Sequence, residues 1–443
     1  MTTVLAAAII LKANAATTGV DQWIAPSVVG LDPTSSAWLS KLPKYQIDAA
    51  PQMNTLVSNA PVALPPQGSA PGGIAPSPNG PDATEQPTVN MPFQSSWHVI
   101  GKFVTPLSND LYTGADTAMM GIVWGRVDIR RCSDNVYLMN GLTMGYGAYA
   151  GTFDINIGTN PYGAGFKAYI YPYSSAGSVR TGAGAWSSYG TVTPCFYPGE
   201  TATFYNIGTW NIYSGAGYLY RGAWMIYETI VNDARNWGTW NFFANRLGGY
   251  YIVMPHVIVR FPFETWAHYH LGGEIHLPTM NDARSPDVIQ HEYGHFAMYT
   301  TYGGYFTTYC PSPHYITGVS HVNCAWSEGW ASYVPYMAHG DKTYTYANNF
   351  DVNEETSTWG TSGWANGAAV EGRVTGALID LADGQNEGVD LASGRLIPDW
   401  WVFRYKGLNV NFHDFMADYK SVYAYNTIIV LTLYQNTIYY TDL

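Results

Sequence analysis

Ser285-Pro286-Asp287-Val288-Ile289-Gln290-His291-Glu292-Tyr293-Gly294-His295 decides what kind of protein this chain builds. Ser285 is a good helix cap, Pro286 suits the first helical position, and Asp287 complements the positive end of the helix dipole. Gly303-Gly304 supplies the stop, so the spacing predicts one helix across the whole run. Within it His291 and His295 are separated by one turn and share a face. Their Cβ atoms then lie ~5–6 Å apart, which lets two imidazoles hold one metal ion with Glu292 alongside it. In a chain with 11 His among 443 residues, such an H-E-x-x-H run arises by chance at a level of about 1%, so a metal-binding helix is the stronger reading. Gly294 is a local cost of about 1 kcal/mol relative to Ala inside a helix. Its missing side chain would admit close approach by another backbone.

A catalytic zinc takes three protein ligands and keeps one position for water. The longer H-E-x-x-H-x-x-G-x-x-H pattern fails, because Met298 and Thr301 stand where its Gly and third His belong, and this excludes a metzincin. The other common solution is a Glu on a following helix. Trp326-Ser327-Glu328-Gly329-Trp330-Ala331-Ser332-Tyr333 offers Glu328, with Ser327 expected as cap, Gly340 as terminator and Pro335 expected to kink the helix or end it early. Glu328 is therefore the expected third ligand. An ordinary Glu at a helix start is the alternative, and His314 and His321 in the preceding loop are rival ligands. Glu292 is the expected general base. For the group that stabilises the oxyanion, Arg373, His413 and Tyr333 are candidates by type, with Arg373 preferred over its alternative, a structural ion pair with Glu371 or a neighbouring carboxylate. His268, His270 and His276 fall in strand-and-loop text and are not read as a second metal site.

Outward from these motifs the chain divides by composition. Residues 51–95 are rich in Pro, Gly, Ser and Asn, which reads as a linker. The preceding residues 16–50 form a short arm or prosegment. Between 96 and 198 four runs alternate apolar with polar residues, Gly101–Val104, Gly121–Ile129, Gly151–Ile157 and Phe166–Tyr171, as in a half-buried antiparallel β-sandwich. From 199 to 443 helices dominate. Trp224, Tyr227, Ile230 and Val231 share one helical face, while Tyr251–Met254, His256–Phe261 and Gly273–Leu277 read as strands of a small sheet. The fold class is α+β: an N-terminal antiparallel β-sandwich followed by a mostly helical domain with a small edge sheet.

Charged residues make up 12% of the chain against a typical ~25%, while 47% is hydrophobic and 15% aromatic, which excludes a disordered or coiled-coil protein. A net charge of −12 gives no general pull toward nucleic acid or an anionic membrane surface. Val4–Leu11 followed by Ala13-Asn14-Ala15 reads as a signal peptide over residues 1–15, although its first residues carry no Lys or Arg. No other stretch is long and apolar enough to span a bilayer. The expected location is secreted or cell surface. The four cysteines form no CxxC pair, which leaves thiols or two disulfides. A Cys132–Cys195 bridge would tie the exit of the strand-rich region to its middle. A Cys310–Cys324 bridge would brace the loop beside the metal, closing about 15 residues for roughly 3 kcal/mol; two buried thiols are the alternative.

His291–His295 followed by Ser327–Ala331 resembles the gluzincin class of zinc metallopeptidases, thermolysin-like in the broadest sense. Val370-Glu371-Gly372-Arg373-Val374-Thr375-Gly376-Ala377-Leu378-Ile379-Asp380-Leu381-Ala382-Asp383 is similar to a helix that follows the Glu-Gly-Trp-Ala segment in secreted microbial proteins of that class. Many of those carry a transthyretin-like or carboxypeptidase-regulatory-like β-sandwich upstream, which the resemblance implies for 96–198. One departure stands out. The class usually places an Asp four residues after the ligand Glu to hold the first His, and this chain has Ser332, whose hydroxyl can accept such a bond without adding charge; the expectation is either lower zinc affinity or substitution by another carboxylate such as Asp380 or Asp383. The resemblance implies Zn2+ as cofactor and a secreted endopeptidase acting on peptide or protein substrates. The alternatives are a surface binding or structural protein on a peptidase-like scaffold, and a zinc hydrolase of a non-peptide amide.

Overall fold

The computed structural model describes residues 97–106, 119–144, 149–212 except 175 and 186, 218–236, and 256–443 except 271–272, 305–309, 312–313, 386, 407 and 424. The expected leader, arm and linker (1–95) and the strand Tyr251–Met254 lie outside these residues. Helices and sheets are both present, as in an α+β chain. The described residues group into two compact units, 97–289 and 290–443.

In the first unit, β1 (His98–Pro106) pairs antiparallel with β2 (Met119–Gly121) and with β5 (Thr152–Asn156). A second antiparallel sheet has the order β4 (Tyr137–Leu142), β3 (Arg126–Arg131), β6 (Phe166–Tyr171), β8 (Thr191–Val192). The period-2 pattern works as the sequence suggests: Phe153 and Ile155 are buried while Asp154 and Asn156 face water. Rings from both sheets meet at the fully buried Phe166, with Trp97 at 5.8 Å and Tyr205 at 5.5 Å between centroids. Cys132 and Cys195 form a disulfide across 63 residues.

Two features depart from a purely antiparallel region ending at Pro198. β9 (Phe204–Asn211) lies beyond that point and pairs with β1 in parallel. Its solvent-facing pattern and the left-handed Gly208 break the alternation by which a strand is read. β7 (Gly177–Arg180) joins a separate sheet of order β11 (His268–His270), β12 (Glu274–His276), β10 (Val257–Arg260), β7. β10 runs parallel to β7 and β12, and β11 is antiparallel to β12. The small sheet thus takes strands from both sides of the expected boundary. The helix α1 (Tyr218–Asn236) belongs with it, burying Trp224, Tyr227, Ile230 and Val231, and the Tyr227 hydroxyl donates to the Val123 carbonyl at 3.0 Å. A short helix α2 (Met280–Arg284) follows, opened by a Thr279/Asp282 capping box.

The second unit is built around helices. α3 (Pro286–Thr301) begins in the first unit and carries His291 and His295; Val288 N–H donates to Ser285 Oγ at 3.2 Å, and Gly303 and Gly304 end the helix with positive φ. α4 (Val322–His339) starts five residues before Ser327. Its cap is His321, whose ring nitrogen accepts from Asn323 N–H at 3.2 Å, and imidazole is not among the side chains that normally signal a helix start. The helix runs past Pro335 and stops at Gly340, which has φ 76. A hairpin of β13 (Thr343–Thr345) and β14 (Asp351–Asn353) precedes α5 (Glu371–Ala382), every residue of which is buried. α6 (Leu396–Tyr405), α7 (Phe412–Val422) and α8 (Thr427–Gln435) complete the unit.

Two glycines set the helix spacing. A Cβ on Gly294 would lie 2.8 Å from Ala331 Cα, and one on Gly329 would lie 2.8 Å from Val374 Cβ and 2.9 Å from the Glu371 carbonyl oxygen. α4 therefore touches α3 and α5 backbone to backbone. Trp330, fully buried on α4, stacks on Phe403 of α6 at 3.6 Å, and Trp326 packs on Phe415 of α7 at 4.9 Å. Aromatic area of this size makes α4 a fixed platform. No helix among the described residues is long and apolar enough to cross a membrane.

Candidate metal centre

α3 and α4, in contact at Gly294 and Ala331, bring three donor atoms together. His291 Nε2 lies 3.1 Å from His295 Nε2 and 3.1 Å from Glu328 Oε2, and His295 Nε2 lies 3.3 Å from the same carboxylate oxygen. A tetrahedral ion with ligand bonds of about 2.0–2.1 Å needs donor atoms about 3.3 Å apart, so the triangle has the size zinc requires. His295 and Glu328 are buried and His291 is nearly so, with 16% of its side chain exposed. Three lone-pair donors converging this closely repel one another unless a proton or a cation lies among them. Burial alone would raise the Glu328 carboxyl, but attraction and hydrogen bonding from protonated His295 and His291 hold it well below the usual carboxylate range, and a metal cation among the three would act in the same sense.

The outer nitrogens complete the fit. With each Nε2 turned to the centre, the Nδ1–H groups face hydroxyls on α4: His291 toward Ser332 Oγ at 3.2 Å and His295 toward Ser327 Oγ at 3.4 Å. Ser332 thus takes the position usually given to an Asp, while Ser327 faces the His295 ring and does not cap the helix. Neither expected substitute carboxylate is used this way. Asp380 accepts from Asn436 at 2.6 Å, and Asp383 pairs with Lys342. Because these supports fix ring orientation and basicity, Ser332→Ala should weaken zinc binding by about 10-fold, measured by competition with a chelating dye. An unchanged affinity would remove Ser332 from the site.

Glu292 is 7% exposed and sits between the two histidines in sequence. Around the triangle, Cys310 and Cys324 form a disulfide over 14 residues, and Cys310 Sγ lies 3.6 Å from Glu328 Oε1. The bridge thus braces the loop beside Glu328, and neither sulfur is left as a thiolate ligand.

The other sequence candidates go elsewhere. Arg373 donates to the Ala365 and Thr358 carbonyls at 3.0 Å each and lies over the Trp364 ring at 5.2 Å, so its fully buried guanidinium pins the 358–366 segment. This corrects its assignment as oxyanion donor. Tyr333 donates to Asp399 at 3.2 Å, His413 meets Asp442 at 3.0 Å, and His321 caps α4. Glu371, weighed as the ion-pair partner of Arg373 in the alternative reading, instead holds His314, Nδ1 to Oε1 at 2.9 Å. That hydrogen bond, opposed by partial burial and reinforced by the charges of Glu328 and Glu292, pushes His314 up to about 9. A cation in the triangle would act in the opposite direction. His314 is thus one of the groups that feel the centre electrostatically.

Sequence reasoning misses two further contributors. Tyr344 on β13 places its ring 5.9 Å from His291, in a strand too short to register as a pattern. Ser327 is hidden by its resemblance to a cap.

Residues 263–428, less than half of the chain, match the Mycolysin C-terminal domain, a domain associated with secreted zinc metallopeptidases. No curated protein and no solved structure matches the chain.

Proposed function

We propose that this chain is a secreted zinc-dependent endopeptidase of the gluzincin type, with His291, His295 and Glu328 as metal ligands and Glu292 as general base. The observation that carries the reading is the triangle of donor atoms with an acid between its two histidines, lying within a stretch similar to a metallopeptidase-associated domain. Zinc held there would supply a Lewis acid for the scissile carbonyl and lower the pKa of water toward ~7.

The remaining work falls to the chain. Glu292 accepts the proton of the attacking water and returns it to the leaving amine. Ser332 and Ser327 keep the two imidazoles in the tautomer that leaves Nε2 free for the metal. His314, partly exposed and hydrogen-bonded to Glu371, is the group proposed to meet the developing negative charge on the carbonyl oxygen in place of Arg373. The close contact of α3 with α4 fixes Glu292 and the two imidazoles relative to Glu328.

The test is hydrolysis of a reduced, unfolded protein by the mature chain. New peptide N-termini should appear, stop on treatment with a chelator and return with added zinc. Cleavage that survives complete removal of metal would exclude the mechanism.

A further inference from the structure

β11 and β12 gather a second set of ligating side chains inside the first unit. Their antiparallel register places His268 directly opposite His276, and His270 opposite Glu274. Residues opposite one another, and residues two apart on a strand, share a face, so three imidazoles stand on one side of the hairpin. Their ring centroids are 4.9 Å apart for His268 and His276, and 5.1 Å apart for His270 and His276. The loop entering the hairpin adds a carboxylate: Glu264 Oε2 lies 3.2 Å from His268 Nε2 and 3.4 Å from His276 Nδ1. Glu264 occupies the left-handed region, φ 63, where a non-glycine residue is uncommon.

His276 makes this more than a surface cluster. It is 3% exposed, and neither ring nitrogen has a hydrogen-bond partner of proper geometry. A buried imidazole in that condition is costly unless something else engages it. Glu274 stands behind it, Oε2 to Nε2 at 3.6 Å, but both oxygens of Glu274 are already held by Arg260 at 2.8 and 2.9 Å. That is the arrangement in which a carboxylate orients a ligating histidine, leaving Nδ1 to face Glu264 and His268.

We propose that Glu264, His268 and His276 form a second metal site for zinc or a first-row divalent ion of similar preference. Two imidazoles and one carboxylate suit such an ion, the two carboxylate–imidazole spacings of 3.2 and 3.4 Å are close to those on α3 and α4, and all three donor atoms lie within 4.8 Å of one another. Glu264 and His268, 40% and 26% exposed, leave the fourth position open toward solvent, where water or His270 completes the shell. The ion would tie the Glu264 loop to the end of β12, a structural role independent of hydrolysis.

The test uses the full chain with its disulfides intact, stripped by chelator, reloaded with zinc alone and passed through gel filtration before metal analysis. Wild type should carry two zinc ions per chain, His268→Asn one, and His268→Asn with His295→Ala none. Glu264→Gln, at an exposed position that the fold tolerates, should match His268→Asn. Equal zinc content in wild type, His268→Asn and Glu264→Gln would overturn the second site whatever the hydrolysis assay shows.

Discussion

Glu292→Gln should keep its zinc and lose hydrolysis. The amide has the size of the carboxylate it replaces, so the buried position is refilled and the two histidines on α3 are left in place. What disappears is the ability to take a proton from the attacking water, a contribution of about 10²–10⁴ in rate for a positioned general base. The loss should fall on kcat, with KM little changed, because the residue is proposed to act on the reaction and not on substrate binding. Cleavage within about threefold of wild type would show that Glu292 is not the base. A zinc-loaded wild type with no turnover at any pH would favour a binding scaffold over an enzyme.

Glu328→Gln should fail in a different way, losing the ion and the activity together. Its carboxylate oxygen lies 3.1 and 3.3 Å from the two imidazole nitrogens and supplies the negative charge of the triangle. An amide keeps the shape but offers a weaker, neutral donor. Loss of an outer-shell partner typically costs 10–100-fold in metal affinity, and loss of a charged direct ligand should exceed about 100-fold. Buried among α3, α4 and α5, the substituted side chain should leave the fold intact, which circular dichroism would verify. The contrast between the two variants separates holding the metal from using it. If Glu328→Gln bound zinc as tightly as wild type, another residue would be the third ligand.

The sequence exposes the triangle because its geometry is local. His291 and His295 need only the helical repeat, and Glu328 needs only a second helix presenting a carboxylate; the structure brings the three together at Gly294 and Ala331. The stops at Gly303-Gly304 and Gly340 are equally readable, since positive φ at a helix end selects glycine. The start of α4 is not, because His321 caps it in a way no simple rule anticipates. Arg373 misleads for a related reason. Residue type suggests an anion partner, whereas its hydrogen bonds run to backbone carbonyls of the 358–366 segment, which no spacing rule links to it. β9 and the mixed sheet of β7, β10, β11 and β12 depend on pairings between strands far apart in the chain, and alternation carries no information about partners. The histidines of that sheet stand close together as text but carry no ligand spacing of their own. Only the antiparallel register puts His268 opposite His276.

The most direct measurement is an anomalous difference map collected on either side of the zinc absorption edge from crystals of the zinc-loaded chain. A zinc peak about 2 Å from each of His291 Nε2, His295 Nε2 and Glu328 Oε2 is the predicted result. Fully loaded crystals with no zinc signal between these three atoms would contradict the account at its centre.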